Sequence, residues 1–276
     1  MSRPTVVLLH GQPDSSASFW PLWRALRAVL PGQVQVVAPD RPGYGANPAP
    51  ATGFAGNAAW LRRYLDRIDA GRTLVLGHSW AGAVAIWAAS TGAASTGSMS
   101  DGGESGIGAD PRIAALVLLS SIGPDCLLPI DPVLAAPVLG TVIAFGALGL
   151  ARAPVTRKAA RIIGRHTDRA DLPYAWASGA AMGHRSLWRS FLLEQRAMVS
   201  DLSVVQTRLA SVAVPTLVIS GASDQVIPAR TPAALVAGVP GAEGVVLDGG
   251  HDLQLRRPEA TAAQVGRWVA ETGIAG

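Results

Sequence analysis

The segment Leu74-Val75-Leu76-Gly77-His78-Ser79-Trp80-Ala81-Gly82 constrains this chain more than any other. An apolar run ends in a serine flanked by small residues, and a small apolar stretch to Ala89 follows. A short apolar run bounded by turn residues reads as a buried strand, and a small-residue stretch reads as a helix packed closely on a sheet. The turn between them must be tight, which demands small neighbours and strained dihedrals at the serine. The same unit recurs along the chain. Thr5–Leu9, Ile113–Leu119 and Thr216–Ile219 read as further buried strands, with Val34–Ala38 and Gly244–Leu247 as weaker ones. Helical spacing lies between them at Phe19–Leu30, Ala58–Ile68 and Pro258–Val269, the last with proline in its first turn. Alternating strand and helix imply an α/β fold with a mostly parallel sheet of about six strands and helices on both faces.

The alternation breaks twice. Ser90–Asp110 is Gly, Ser, Thr and Ala with few large side chains, and reads as a flexible surface insertion. From Gly123 to Gln206 no strand is evident and helical patterns dominate. The expected organisation is a core at residues 1–122, a helical cap at 123–206 that covers a site, and the rest of the core at 207–276. Within the cap, Val133–Ala151 carries no charge and approaches a bilayer-spanning length. It is diluted by Ala, Gly, Pro137 and Thr141, so it reads as a lid over an apolar pocket rather than a span.

Ser79 projects its hydroxyl where the helix N-terminus favours developing negative charge. The segment resembles the nucleophile elbow of α/β hydrolases, in its G-x-S-x-A form with Gly82 following. Three further loops carry the same resemblance. Leu9-His10-Gly11-Gln12-Pro13 resembles the family's H-G-x-P loop, which implies an oxyanion hole made by the backbone N–H groups of Gln12 and Trp80. It also suggests a cis Gln12–Pro13 bond and a structural role for His10. Gly221-Ala222-Ser223-Asp224, with Pro228 beyond, resembles the acid loop, and Asp224 takes the acid role by that resemblance. Gly249-Gly250-His251 resembles the histidine loop, with His251 as general base. The order Ser79, Asp224, His251 is the family's order. Asp125 follows a strand where some relatives place the acid, and is held in reserve. Asp40-Arg41-Pro42-Gly43-Tyr44-Gly45 matches a turn common after the second strand, read here as structural.

The resemblance implies acyl transfer by a serine hydrolase on a small or medium ester, thioester, lactone or amide with an apolar acyl portion, without metal or organic cofactor. The apolar cap segment and the bulky Trp80 suggest the apolar preference, and Trp176, Trp188 and Phe145 are candidate pocket residues. The H-G-x-P loop is also typical of epoxide hydrolases and haloalkane dehalogenases. Their alkyl-enzyme chemistry needs a carboxylate nucleophile, which Ser79 is not. Cofactor-free haloperoxidase or perhydrolase chemistry and carbon–carbon bond hydrolysis stay open, as does a non-catalytic ligand-binding role. The family's usual N-terminal hairpin is expected to be absent, since few residues precede the first strand. Val34–Ala38 then lies near a bare edge that invites pairing or covering, with homodimerisation there as a hypothesis.

Composition narrows the partners. Net charge is +4, and the pI of about 10.0 reflects arginine, since Lys158 is the sole lysine. No dense basic run interleaved with aromatics suggests nucleic acid. The arginines from Arg152 to Arg169 read as a solvated helix face. His166, His184 and Asp171 lack metal-ligand spacing, and Gly102–Gly108 lacks a phosphate-loop lysine. A single cysteine, Cys126, and an N-terminus that reads as the first strand rather than a signal peptide point to the cytoplasm.

Overall fold

A computed structural model describes residues 2–91, 108–143, 145 and 185–273. The strands are β1 (Arg3–Leu9), β2 (Gln35–Val37), β3 (Ala70–His78), β4 (Ile113–Leu119), β5 (Thr216–Gly221) and β6 (Glu243–Leu247). They form one parallel sheet in the order β2-β1-β3-β4-β5-β6. Among the described residues no antiparallel strand joins it. The three-residue β2 forms one edge and β6 the other.

The strands read as continuous apolar runs because both faces of the sheet are covered. Successive side chains point to opposite faces. Val7, Leu9, Val75, Leu116, Leu118 and Val218 pack on one side. They meet α2 (Phe54–Arg67), α3 (Trp80–Ala89) and α6 (Arg185–Arg208). Val6, Leu8, Leu74, Leu76, Val117 and Ile219 pack on the other, against α1 (Trp20–Val29) and α9 (Pro258–Thr272). Among the described residues the remaining α-helices are α4 (Asp131–Ala135), α5 (Pro137–Val142), α7 (Arg230–Gly238) and the single turn α8 (Leu253–Arg256). α3 is apolar all round because α2 and α6 cover the side the sheet does not.

In residues 123–206 the described part contributes only helices, α4, α5 and α6. At 24 residues, α6 is about 36 Å long. Its buried positions include Leu187, Ser190, Glu194, Met198, Leu202 and Val205, an apolar stripe with a carboxylate set into it. The apolar segment read as a lid is broken at Ala136, between α4 and α5, and its end from residue 146 lies outside the described residues. Among the described residues no helix is long and apolar enough to cross a membrane. Most of the Ser90–Asp110 insertion also lies outside them.

The strand order fixes where a site can lie. From β1 the chain passes to β2, then returns across β1 to β3. Such a reversal opens a crevice at the carboxyl ends of the two strands that flank it. The loops after β1 and β3 carry Gln12 and Ser79.

Candidate active site

Ser79 joins β3 to α3 at φ 53 and ψ −121, a left-handed conformation costly for a residue with a Cβ. The surroundings hold it there. Its N–H donates to the Leu119 carbonyl at 2.9 Å. Its carbonyl accepts from Gly82 at 3.0 Å and Ile122 at 3.2 Å. The end of β4 therefore braces the turn. Gly77 is required because a Cβ there would lie 2.5 Å from the Ala81 carbonyl oxygen.

The Ser79 hydroxyl lies 3.0 Å from Nε2 of His251, whose Nδ1 lies 2.9 Å from Oδ2 of Asp224. The other carboxylate oxygen of Asp224 accepts the N–H groups of Val226 at 2.8 Å and Ile227 at 3.0 Å. Burial alone would raise the Asp224 carboxyl. The hydrogen bonds from His251 and from the two N–H groups outweigh it and hold the group below the usual carboxylate value. Asp224 is thus an anionic acceptor for an Nδ1–H of His251, which leaves Nε2 free to accept from Ser79. The acid and histidine loops are joined to each other. The Ala222 N–H donates to the Leu247 carbonyl at 2.8 Å, and the Ser223 N–H to that of Gly249 at 2.9 Å.

His78 ties the histidine loop to the serine turn. Its Nε2–H donates to the His251 carbonyl at 3.2 Å, and the two rings are 4.9 Å apart. Burial, reinforced by His251, lowers the His78 pKa to about 4.

The loop after β1 lies directly against Ser79: a Cβ on Gly11 would sit 2.9 Å from that of Ser79. Gln12 follows, and its peptide bond to Pro13 is cis. Trp80 is the first residue of α3, so its N–H is one of the helix's orphan donors.

Behind this loop lies a buried polar network that the sequence reading missed. Arg41 is fully buried and makes an ion pair with the fully buried Glu194 of α6. Its Nε–H donates to the His10 carbonyl at 2.7 Å, and another N–H to that of Gly11 at 2.9 Å. Nδ1–H of His10 donates to the Gly11 carbonyl at 2.9 Å, while Nε2 of His10 accepts the Arg41 backbone N–H at 3.0 Å. That arrangement needs a neutral ring. Burial, with Arg41 beside it, holds the His10 pKa well below its ordinary value. The Tyr44 hydroxyl donates to Glu194 at 2.6 Å. The Asp40 turn read as structural therefore carries a buried cation. The signal for it was in the sequence: Glu194 occupies a core position of the α6 stripe, where an acid requires a buried partner.

The other candidates separate. Asp125 is exposed at φ 59, and His251 binds Asp224 instead. The Trp80 side chain, expected beside the substrate, is 0% exposed. Its ring lies 4.5 Å from that of Phe54 and 4.7 Å from the Arg41 guanidinium, because α6 covers that face of α3. Trp188 on α6 is half-buried and edge-on to Phe191, and Phe145 is half-buried. Trp176, His166, Asp171, His184 and the arginines from 152 to 169 lie outside the described residues. Cys126 is buried, and burial raises its thiol to about 11, far from a thiolate at neutral pH. Among the described residues no group of three or more His, Cys, Asp or Glu could hold a metal ion.

Comparison with known proteins agrees with this architecture. An uncharacterized protein of Mycobacterium tuberculosis is 26% identical over 265 residues, covering 91% of this chain and 70% of its own length. A soluble epoxide hydrolase of a Corynebacterium is 37% identical over 86 residues, 30% of this chain and 29% of that protein. Among solved structures, an esterase from Exiguobacterium antarcticum superposes with a TM-score of 0.69 at 19% identity, over 98% of this chain and 92% of that one. The model of the alpha/beta hydrolase family matches residues 6–264, and the chain belongs to that family.

Proposed function

We propose that the protein is a serine hydrolase that cleaves a small or medium ester, thioester, lactone or amide through an acyl-enzyme. The observation that carries this is the hydrogen-bonded row of Ser79, His251 and Asp224, at 3.0 and 2.9 Å. His251 takes the Ser79 proton as the oxygen attacks the carbonyl, then returns it to the leaving group. Water, activated by the same ring, releases the acyl group. Asp224 holds the ring's orientation and stabilises its protonated form. The N–H groups of Gln12 and Trp80 receive the developing oxyanion, aided by the N-terminus of α3.

The epoxide hydrolase likeness covers less than a third of the chain. Opening an epoxide through an alkyl-enzyme needs a carboxylate nucleophile, and position 79 is serine. An apolar acyl group is supported by α4 and α5. Asp131 of α4 accepts from Gln195 at 2.7 Å, and Gln195 accepts from Gln12 at 3.0 Å, so this part of the cap borders the oxyanion loop. Val138, Leu139 and Val142 stand exposed on α5.

The test is labelling with a fluorophosphonate, located by peptide mass spectrometry, followed by hydrolysis of p-nitrophenyl esters of increasing acyl length. Label at Ser79 that is absent from Ser79→Ala is expected. Folded protein that takes no label overturns the proposal.

A further inference from the structure

The buried Arg41–Glu194 pair lies outside the row of reacting side chains, yet its contacts converge on both oxyanion residues. Arg41 spends two of its five N–H groups on consecutive carbonyls, His10 and Gly11. The Gly11 carbonyl belongs to the same peptide unit as the Gln12 N–H. That unit is planar and trans, so its N–H points opposite to its C=O. A guanidinium bound at the carbonyl edge of the unit therefore directs the N–H from the opposite edge, away from Arg41. The Gly11 oxygen also accepts from His10, so two donors fix the plane and polarise the amide. Hydrogen bonds in such a chain strengthen one another.

The second donor residue meets the same pair. The Trp80 indole N–H donates to the Glu194 carbonyl at 3.2 Å, and the Arg41 guanidinium lies over its ring. Next on α6, Gln195 holds the Gln12 side chain. A buried ion pair is weak evidence of a stabilising device, since apolar replacements of the same shape are often neutral. What an apolar pair cannot do is grip two carbonyls.

We infer that Arg41, held in place by Glu194 of α6, is a positioning residue that aims and polarises the Gln12 N–H. The cap helix thereby sets the oxyanion hole. The inference rests on the proposed acyl-transfer role of Ser79 and Gln12.

The experiment compares the full chain with Arg41→Met/Glu194→Gln, which removes both charges together and leaves neither unpaired. Fluorophosphonate labelling taken to completion counts working serines. The kcat for p-nitrophenyl butyrate is then expressed per labelled serine, beside KM and the inhibition constant of a trifluoromethyl ketone, whose adduct places an oxyanion in the hole. The expected result is a fall in kcat of about 10²-fold, the effect of losing one oxyanion donor. The ketone should weaken by the same factor, while KM moves by less than about threefold, because ground-state binding is untouched. Arg41→Lys serves where the double variant does not fold. It keeps a cation beside Glu194, but its point charge cannot replace the planar fork, and the same split is expected at about tenfold. An unchanged kcat per labelled serine, with only the labelled fraction or the melting temperature reduced, overturns the inference and leaves the serine-hydrolase reading standing. Wild-type protein that takes no label at Ser79 overturns both.

Discussion

The two ends of the sheet both carry charge clusters, and they are built differently. At the amino ends of β3 and β4, Arg112 pairs with Asp110 at 2.7 Å and with Asp66 at 2.5 Å. Water reaches two of its members, since the Arg112 side chain is 24% exposed and that of Asp66 65%, while Asp110 at 2% is the buried one. At the carboxyl ends, Arg41 and Glu194 are both 0% exposed, and Ser79, His251 and Asp224 lie beside them. A charge near water loses little when its partner goes, because solvent replaces the partner. A buried charge has no such replacement. The first end closes the fold at low electrostatic cost. The second keeps charged and strained groups in place because its surroundings over-determine them.

Substitutions at the carboxyl end should have the largest effects. Ser79→Ala is expected to lower kcat by about 10⁶-fold, and Asp224→Asn by about 10⁴-fold, with folding retained. Steady-state rates on p-nitrophenyl butyrate check both. A residual rate near wild type in Ser79→Ala would remove the carboxyl end's claim to the chemistry.

Glu194→Ala leaves Arg41 buried and unpaired, and should cost about 3–5 kcal/mol of stability in urea unfolding. A cost below about 1 kcal/mol would make this pair no different from a surface one.

The pH dependence should also separate the two ends. His78 binds its proton with a pKa of about 4 when folded, below the ordinary 6.5. Between those values the unfolded chain binds more protons, so stability is full above pH 6.5 and falls as pH drops toward 4. His10 acts in the same direction. Melting temperatures from pH 7 to pH 5 should therefore fall less in His78→Gln than in wild type. An equal fall in both would show that His78 makes no contribution.

The smallest effect is expected at the amino end. Asp66→Asn should cost less than about 1 kcal/mol, with kcat unchanged. A loss comparable to Glu194→Ala would erase the contrast between the two ends.

Several elements could be read directly from local pattern. The six strands and helices α1, α2, α3 and α9 fall within a few residues of their sequence patterns, because a parallel sheet covered on both faces leaves unbroken apolar stretches, while α7 between β5 and β6 was not read from the sequence. Ser79, Asp224 and His251 were legible through the resemblance of their loops to those of α/β hydrolases, each loop following a strand and holding small or glycine residues. The Arg41–Glu194 pair was not, since 153 residues separate its members and Arg41 lies in a turn that looked merely structural. Trp80 was placed beside the substrate because sequence shows its bulk, not which helix covers it. Asp224 was the preferred loop acid with Asp125 in reserve, and the pairing of β5 with β6 joins the Asp224 loop to that of His251.

The sequence by itself determined the alternation of strand and helix, the turn chemistry and the order of the residues in the row, all carried by neighbours in the chain. The tertiary structure alone decided which acid meets His251, why Trp80 is buried, and that α6 reaches the loop holding Gln12. Those outcomes depend on how distant segments pack, and no local pattern records which of them will share an interior with no water to take a partner's place.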